Sequence, residues 1–138
     1  MSAMLNTAVI RSRINIPKSI AAGQETNRAL QGQAPYVINA GLFYDLDDQG
    51  IQINTLFNMV GKNIAFVGNE NFRTVYLMPR KLLDLNLTKK VGERFQLKFG
   101  ISDLLNQPML FIQDSGGIRI IQKFKPGQVF SAGLTVRI

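Results

Sequence analysis

Residues 129–138 alternate. Phe130, Ala132, Leu134, Val136 and Ile138 fall on one side of an extended chain, and Val129, Ser131, Gly133, Thr135 and Arg137 on the other. A period of two marks a strand with one apolar and one largely polar face. Such a strand must bury or coat its apolar side, and an unpaired edge recruits other chains. A chain that stops inside such a strand is expected to close a sheet, so what the strand pairs with becomes the central question.

Five further segments carry strand patterns. The weakest, residues 5–16, sets Ala8, Ile10, Ile14 and Ile16 against Thr7, Arg11, Arg13 and Asn15. Residues 36–46 place Tyr36, Ile38, Ala40, Leu42, Tyr44 and Leu46 opposite Asn39, Gly41 and Asp45. From residue 51, Ile51, Ile53, Thr55, Phe57 and Met59 oppose Gln52, Asn54, Asn58 and Lys62. A fourth strand sets Leu83, Leu85 and Leu87 against Arg80, Asp84, Asn86 and Thr88, and a fifth sets Phe95, Leu97, Phe99 and Ile101 against Gln96, Lys98, Gly100 and Ser102. Asp47-Asp48-Gln49-Gly50 and the region of Gly92-Glu93 are tight-turn sequences. Ser115-Gly116-Gly117 predicts a hairpin inside the stretch 106–127.

The connections alternate between long (17–35, 68–75, 106–127) and short (47–50, 91–94). The expected fold is therefore all-β, an antiparallel up-and-down meander of about six long strands with tight turns at one rim and large loops at the other. Transmembrane barrels have this asymmetry. About ten residues at a steep tilt cross an outer membrane, which the strand lengths match. The tyrosines at both ends of the second stripe, Tyr36 and Tyr44, suit interfacial girdles, although paired tyrosines also occur in soluble sheets.

Composition narrows the chemistry. With 46% hydrophobic and only 18% charged residues the chain is apolar for a soluble domain, yet no run approaches the ~18 apolar residues of a membrane helix. Cysteine and histidine are absent, which removes thiolate and imidazole metal sites, disulfides and Cys or His nucleophile pairs. No metal and no cofactor are expected. The net charge of +7 suits phosphate partners or a solvated basic surface. Basic residues are not interleaved with aromatics on one face, so nucleic acid is not an expected partner. Ser102-Asp103 has no histidine and no nucleophile elbow, and Asp47-Asp48 is ordinary turn chemistry, so an enzyme is not expected. Residues 1–16 lack the basic start and apolar run of a secretory signal, which leaves a cytoplasmic protein or a piece of a longer exported chain.

Six strands are too few to close a membrane barrel, which begins at about eight. Open edges in lipid would cost several kcal/mol per unpaired backbone group, so further strands must come from elsewhere in a longer chain or from sister protomers. Three stretches bear on the source: residues 30–41 (LQGQAPYVINAG), residues 97–108 (LKFGISDLLNQP), and Tyr76-x-Met78-Pro79-Arg80 followed by Leu83-Asp84-Leu85. Together they resemble the C-terminal barrel region of TonB-dependent outer-membrane receptors of Bacteroidetes-type bacteria. The ending fits that family's assembly signal on Ser131, Gly133, Val136 and Ile138, with Ile138 where an aromatic is usual.

The resemblance covers nearly the whole chain, residues 1–138. It implies the last six strands of a barrel of about 22 strands, within a longer chain in the outer membrane of a Gram-negative bacterium. The plug domain and the energy-coupling box are not in this sequence. It implies active uptake of a nutrient such as a siderophore, glycan or peptide, with this chain supplying wall and extracellular loops. The implied partners are the rest of the barrel and its plug, the TonB complex through the N-terminal part, outer-membrane lipid and lipopolysaccharide, and a surface lipoprotein. Tyr36, Ile38, Leu42, Tyr44, Leu83, Leu85, Leu87, Phe95, Leu97, Phe99 and Ile101 would face lipid. Asn39, Asp45, Asn54, Asn58, Lys62, Arg80, Asp84, Asn86 and Lys98 would face the lumen, where plug or substrate could meet them. Arg80 and Asp84, on one face, would find their partners on the plug. Arg119, Lys123 and Lys125 in the last large loop would meet lipopolysaccharide phosphates or simply be solvated. The alternatives are a small soluble β-barrel carrying an apolar ligand, with the same apolar residues turned inward, and an oligomeric pore to which each protomer lends strands.

Overall fold

The computed structural model describes residues 1–17, 19, 21, 26–114 and 117–137. Among the described residues there are twelve strands: β1 (Ser2–Val9), β2 (Ile14–Asn15), β3 (Asn27–Arg28), β4 (Tyr36–Leu46), β5 (Ile51–Val60), β6 (Asn63–Phe66), β7 (Val75–Leu77), β8 (Arg80–Val91), β9 (Phe95–Ser102), β10 (Met109–Asp114), β11 (Ile118–Phe124) and β12 (Val129–Val136). Six of them form one antiparallel meander in the order β1-β4-β5-β8-β9-β12, the wall sheet. Its two end strands, β1 and β12, do not pair with each other, so the sheet is open. Four more form a second sheet in the order β11-β10-β7-β6, the rim sheet, and β2 pairs with β3.

The expected asymmetry of connections is present. β4 turns into β5 through a 3₁₀ turn, Asp47–Gln49, closed by Gly50 at φ +60°, whose N–H donates to Asp47 O at 3.0 Å. That left-handed conformation is open to glycine at little cost, which is why the turn can be this tight. At the other end of the wall, the β5-to-β8 and β9-to-β12 connections each fold into a hairpin, β6–β7 and β10–β11. The two hairpins join through β7 and β10, with Phe111 opposite Leu77 and Ile112 opposite Tyr76. The hairpin expected near residue 116 is therefore β10–β11; its turn residues Ser115 and Gly116 lie outside the described residues.

Two expectations need correction. The first strand does not run over 5–16 but over Ser2–Val9. Its partner β4 fixes the register, pairing Leu5 with Ala40, Thr7 with Ile38 and Val9 with Tyr36, so Thr7 joins the apolar side and Ala8 the other. Ile10 still donates its N–H to Pro35 O at 2.9 Å before the chain leaves the sheet, and Ile14 belongs to β2. The third predicted strand stops at Val60, and Gly61 bends the chain into β6, so Lys62 is on no strand of the wall. Strands β6 and β7 escaped prediction because short runs of four and three residues carry too little periodicity.

The core sits in the rim. Among the described residues the buried apolar side chains are Ala21, Ala34, Ile64 and Ile112, and none belongs to the wall sheet. Ile64 and Ile112 both lie opposite Tyr76, on one face of the rim sheet. Segment 31–34 crosses beside it, with Gly32 N–H donating to Ile64 O at 2.9 Å. The protein exposes 9830 Å², whereas a compact monomer of 15.4 kDa should expose about 7,200 Å². The uncovered wall and the exposed outer rim strand β11 both contribute to the difference.

Candidate functional site

Cross-strand registers assign every wall residue to a face. One face carries Tyr36, Ile38, Leu42 and Tyr44 of β4, then Ile53, Thr55 and Phe57 of β5. It continues through Leu83, Leu85 and Leu87 of β8, Phe95, Leu97, Phe99 and Ile101 of β9, and Phe130, Ala132, Leu134 and Val136 of β12. All eleven residues expected to share an apolar face do share it. Nothing covers it among the described residues: Leu42, Phe99 and Phe130 are 51, 49 and 70% exposed.

The opposite face holds Asn39, Asp45, Asn54, Asn58, Arg80, Asp84, Asn86 and Lys98 together, as the alternation implies. Asn58 donates from Nδ2 to Asn39 Oδ1 at 2.6 Å across the β4–β5 pair. Asn54 and Asn86 stand opposite each other, and Asn86 stands opposite Gly100. A Cβ on Gly100 would lie 2.5 Å from Ser131 Oγ and 2.8 Å from Asn86 Oδ1, so the missing side chain lets those two lean together. Ser131 and Gly133 sit on this face and Val136 on the apolar one, while Ile138 lies outside the described residues.

This second face is not uniformly polar. Met4, Val37, Phe43, Leu56, Val60 and Leu82 share it, and the Phe43 ring lies over Gly41. A shallow hollow of about 380 Å³ lies there between Met4, Asn6, Asn39, Asn58, Leu82 and Asp84. Asparagine at regular spacing was legible; the apolar island among the asparagines was not, because Val37, Phe43, Leu56 and Leu82 come from three strands and meet only through cross-strand pairing.

Arg80 and Asp84 do find partners, and they find them within this chain. Both meet Asp103, in the corner where the chain leaves β9 for β10. The Arg80 guanidinium forms an ion pair with the Asp103 carboxylate, and its Nε donates to Gln107 O at 2.8 Å. Asp103 N–H donates to Asp84 Oδ1 at 2.8 Å, and Lys81 N–H to Gln107 Oε1 at 3.0 Å. Asp103 is buried and adopts φ +56°, and Asn106 adopts φ +44°. Aspartate and asparagine tolerate that region better than other side chains. The stretch 102–107, one of the motifs in the sequence, is thus a locked corner between wall and rim. Its Asp103 was not foreseen as a partner because the corner brings together residues that strand alternation treats as separate.

Lys62 lies at the rim rather than on the wall's polar face. Its Nζ sits 4.0 Å from the centroid of the Tyr76 ring. It lines a cavity of about 890 Å³ together with Arg11, Arg13, Arg28, Gln33 and Tyr76. Four cations therefore converge where the sequence showed only scattered charges; the Arg11-x-Arg13 pair was the available signal. Arg119 and Lys123, by contrast, stand opposite Gln113 and Leu110 and so fall on different faces of the rim sheet. They do not form one patch. Among the described residues no group of three or more acidic residues could hold a metal ion, in a chain without His or Cys. Comparison with protein-family models, with curated proteins and with solved structures finds no match to this chain.

Proposed function

We propose that this chain is a segment of the wall and extracellular rim of an outer-membrane transport barrel, the C-terminal part of a TonB-dependent receptor. The observation that carries the reading is the uncovered apolar face running across all six strands of an open sheet, with a mixed polar face behind it. Water would not support an apolar surface of that extent on a monomer, whereas lipid coats it. Eleven residues of β4 at about 3.3 Å each, tilted about 45°, rise about 26 Å, close to the ~25 Å apolar band of such barrels.

The short turns at one end and the built-up rim at the other match the periplasmic and extracellular ends of that architecture. The edges of β1 and β12 would be satisfied by the remaining strands, since unpaired backbone in lipid is costly. The residues of the polar face would line the lumen beside a plug, and coupling to the TonB complex would run through that plug. Lipid and lipopolysaccharide would contact the apolar face and the rim, and a surface lipoprotein could cap the loops. The soluble-carrier reading needs the apolar face wrapped inward by pairing β1 with β12, and the sheet lacks that pairing.

An antibody against residues 127–138, applied to native outer-membrane and soluble fractions, tests the proposal. The expected result is a membrane band several times heavier than 15.4 kDa. A soluble band at 15.4 kDa would overturn it, and a cross-linked ladder in multiples of that mass would favour the oligomeric pore.

A further inference from the structure

We propose that the rim cavity binds a small polyanion that also carries hydroxyl groups, of the sugar-phosphate type. Arg11, Arg13, Arg28 and Lys62 line it, and among the described residues no aspartate or glutamate does. Among the described residues the ion pair is Arg80 with Asp103, at the β9–β10 corner, so the four cations of the cavity have no carboxylate partner there. Like charges gathered without a counter-charge repel, and an anion in the middle relieves that repulsion. The protein's net charge of +7 adds a long-range attraction for such a ligand.

Two atoms define the ligand more closely. Arg28 Nε and Gln33 Oε1 are both shielded from solvent, and neither has a hydrogen-bond partner among the described residues. The first is a charged donor, and a buried donor left unpaired is costly. Arginine's planar fork suits the oxygens of a phosphate or carboxylate. The second is an acceptor, which would repel an anion's oxygen and needs a donor instead. A ligand that satisfies both offers an anionic group to Arg28 and a hydroxyl to Gln33.

Lys62 is held over the Tyr76 ring by a cation–π contact, which fixes where its charge stands. A second anionic group would meet it, with Arg11 and Arg13 on the exposed side. The volume of about 890 Å³ lies within the usual ~300–1,000 Å³ of small-molecule sites. The site is made by this chain alone and does not depend on the membrane reading.

Calorimetric titration of the purified protein in detergent micelles with fructose 1,6-bisphosphate tests the site, with 1,6-hexanediol bisphosphate as the hydroxyl-free comparison. Saturable binding is expected, tighter for the sugar and weakening with salt. Arg28→Gln should reduce affinity on the order of ten-fold. Lys62→Gln gives a second reading should Arg28→Gln fail to fold. Gln33→Leu should abolish the preference for the sugar, and the double variant Arg119→Gln with Lys125→Gln should change nothing. Absence of saturable binding, or equal losses from the Arg119/Lys125 double variant, would overturn the proposal. Competition by lipid A in mixed micelles separates the two sources of this chemistry. Tighter binding of lipid A would assign the site to a glycolipid headgroup, and tighter binding of the free bisphosphate to a soluble ligand.

Discussion

In the rim sheet, Ile64 and Ile112 are 5 and 4% exposed; in the wall sheet, Leu42 and Phe99, on longer and more regular strands, remain half exposed. Both sheets are antiparallel and both are rich in β-branched and aromatic side chains, so intrinsic strand preference does not separate them. What separates them is a second layer. The inner rim strands have one, because segment 31–34 crosses beside Ile64, with Ala34 buried there. The wall has none. A sheet stabilised by burial in water needs a layer on its apolar face, and this wall is complete only if something outside the chain provides it. The inner rim strands therefore carry their own cover, whereas the wall and the outer rim strand β11, exposed along its whole length, do not.

Substitutions can break or sharpen that contrast. The largest effect is expected at the wall faces. Phe99→Asp should cost on the order of 2–4 kcal/mol if that face meets lipid, while Asn86→Asp, on the other face, should leave membrane assembly almost unchanged. Comparable assembly yields for the two variants would contradict the assignment of faces to environments.

Next comes the joint between the two regions. Asp103→Ala would leave the partly buried Arg80 guanidinium without its carboxylate, at a cost of about 2 kcal/mol. Amide exchange should rise at the start of β8 and the end of β9 together, and a change confined to one side would show that the joint does not couple them. Ile112→Ala should destabilise the rim by roughly 2 kcal/mol in detergent and in lipid alike, as a cavity in a packed core does. A loss seen only in lipid, measured by rim amide exchange, would make the rim part of the membrane-dependent region.

The smallest effect is expected on the wall's polar face. Asn58→Ala removes one side-chain hydrogen bond to Asn39 and should cost about 1 kcal/mol. A denaturant midpoint that does not move would mean that water replaces the bond, as a wet lumen allows.

The wall was legible in the sequence because its strands are long and one-sided. Eight to twelve residues of alternation, as in β8 and β9, repeat the same signal often enough to fix strand and face together. The turn at Gly50 was legible for a different reason, since Asp-Asp-Gln-Gly has its own local chemistry. β1 misled because Ile10, Ile14 and Ile16 continue a phase opposite to the one its partner imposes, and the partner's register prevails. Strands β6 and β7 and the Asp103 corner were illegible because each depends on a contact between distant segments. The same holds for the rim cavity: Arg11, Arg28 and Lys62 look unrelated until the fold brings them to one cavity beside Ile64 and Tyr76.

The union of β7 with β10 bears on the order in which the molecule can be built. Those strands belong to hairpins on either side of β8 and β9, so joining them closes a large loop around a complete hairpin of the wall. Local pairings such as β8 with β9 need only a short closure and form readily, whereas distant ones wait for the chain between them to become compact. The rim should therefore come last, clasping neighbouring wall hairpins once they stand side by side.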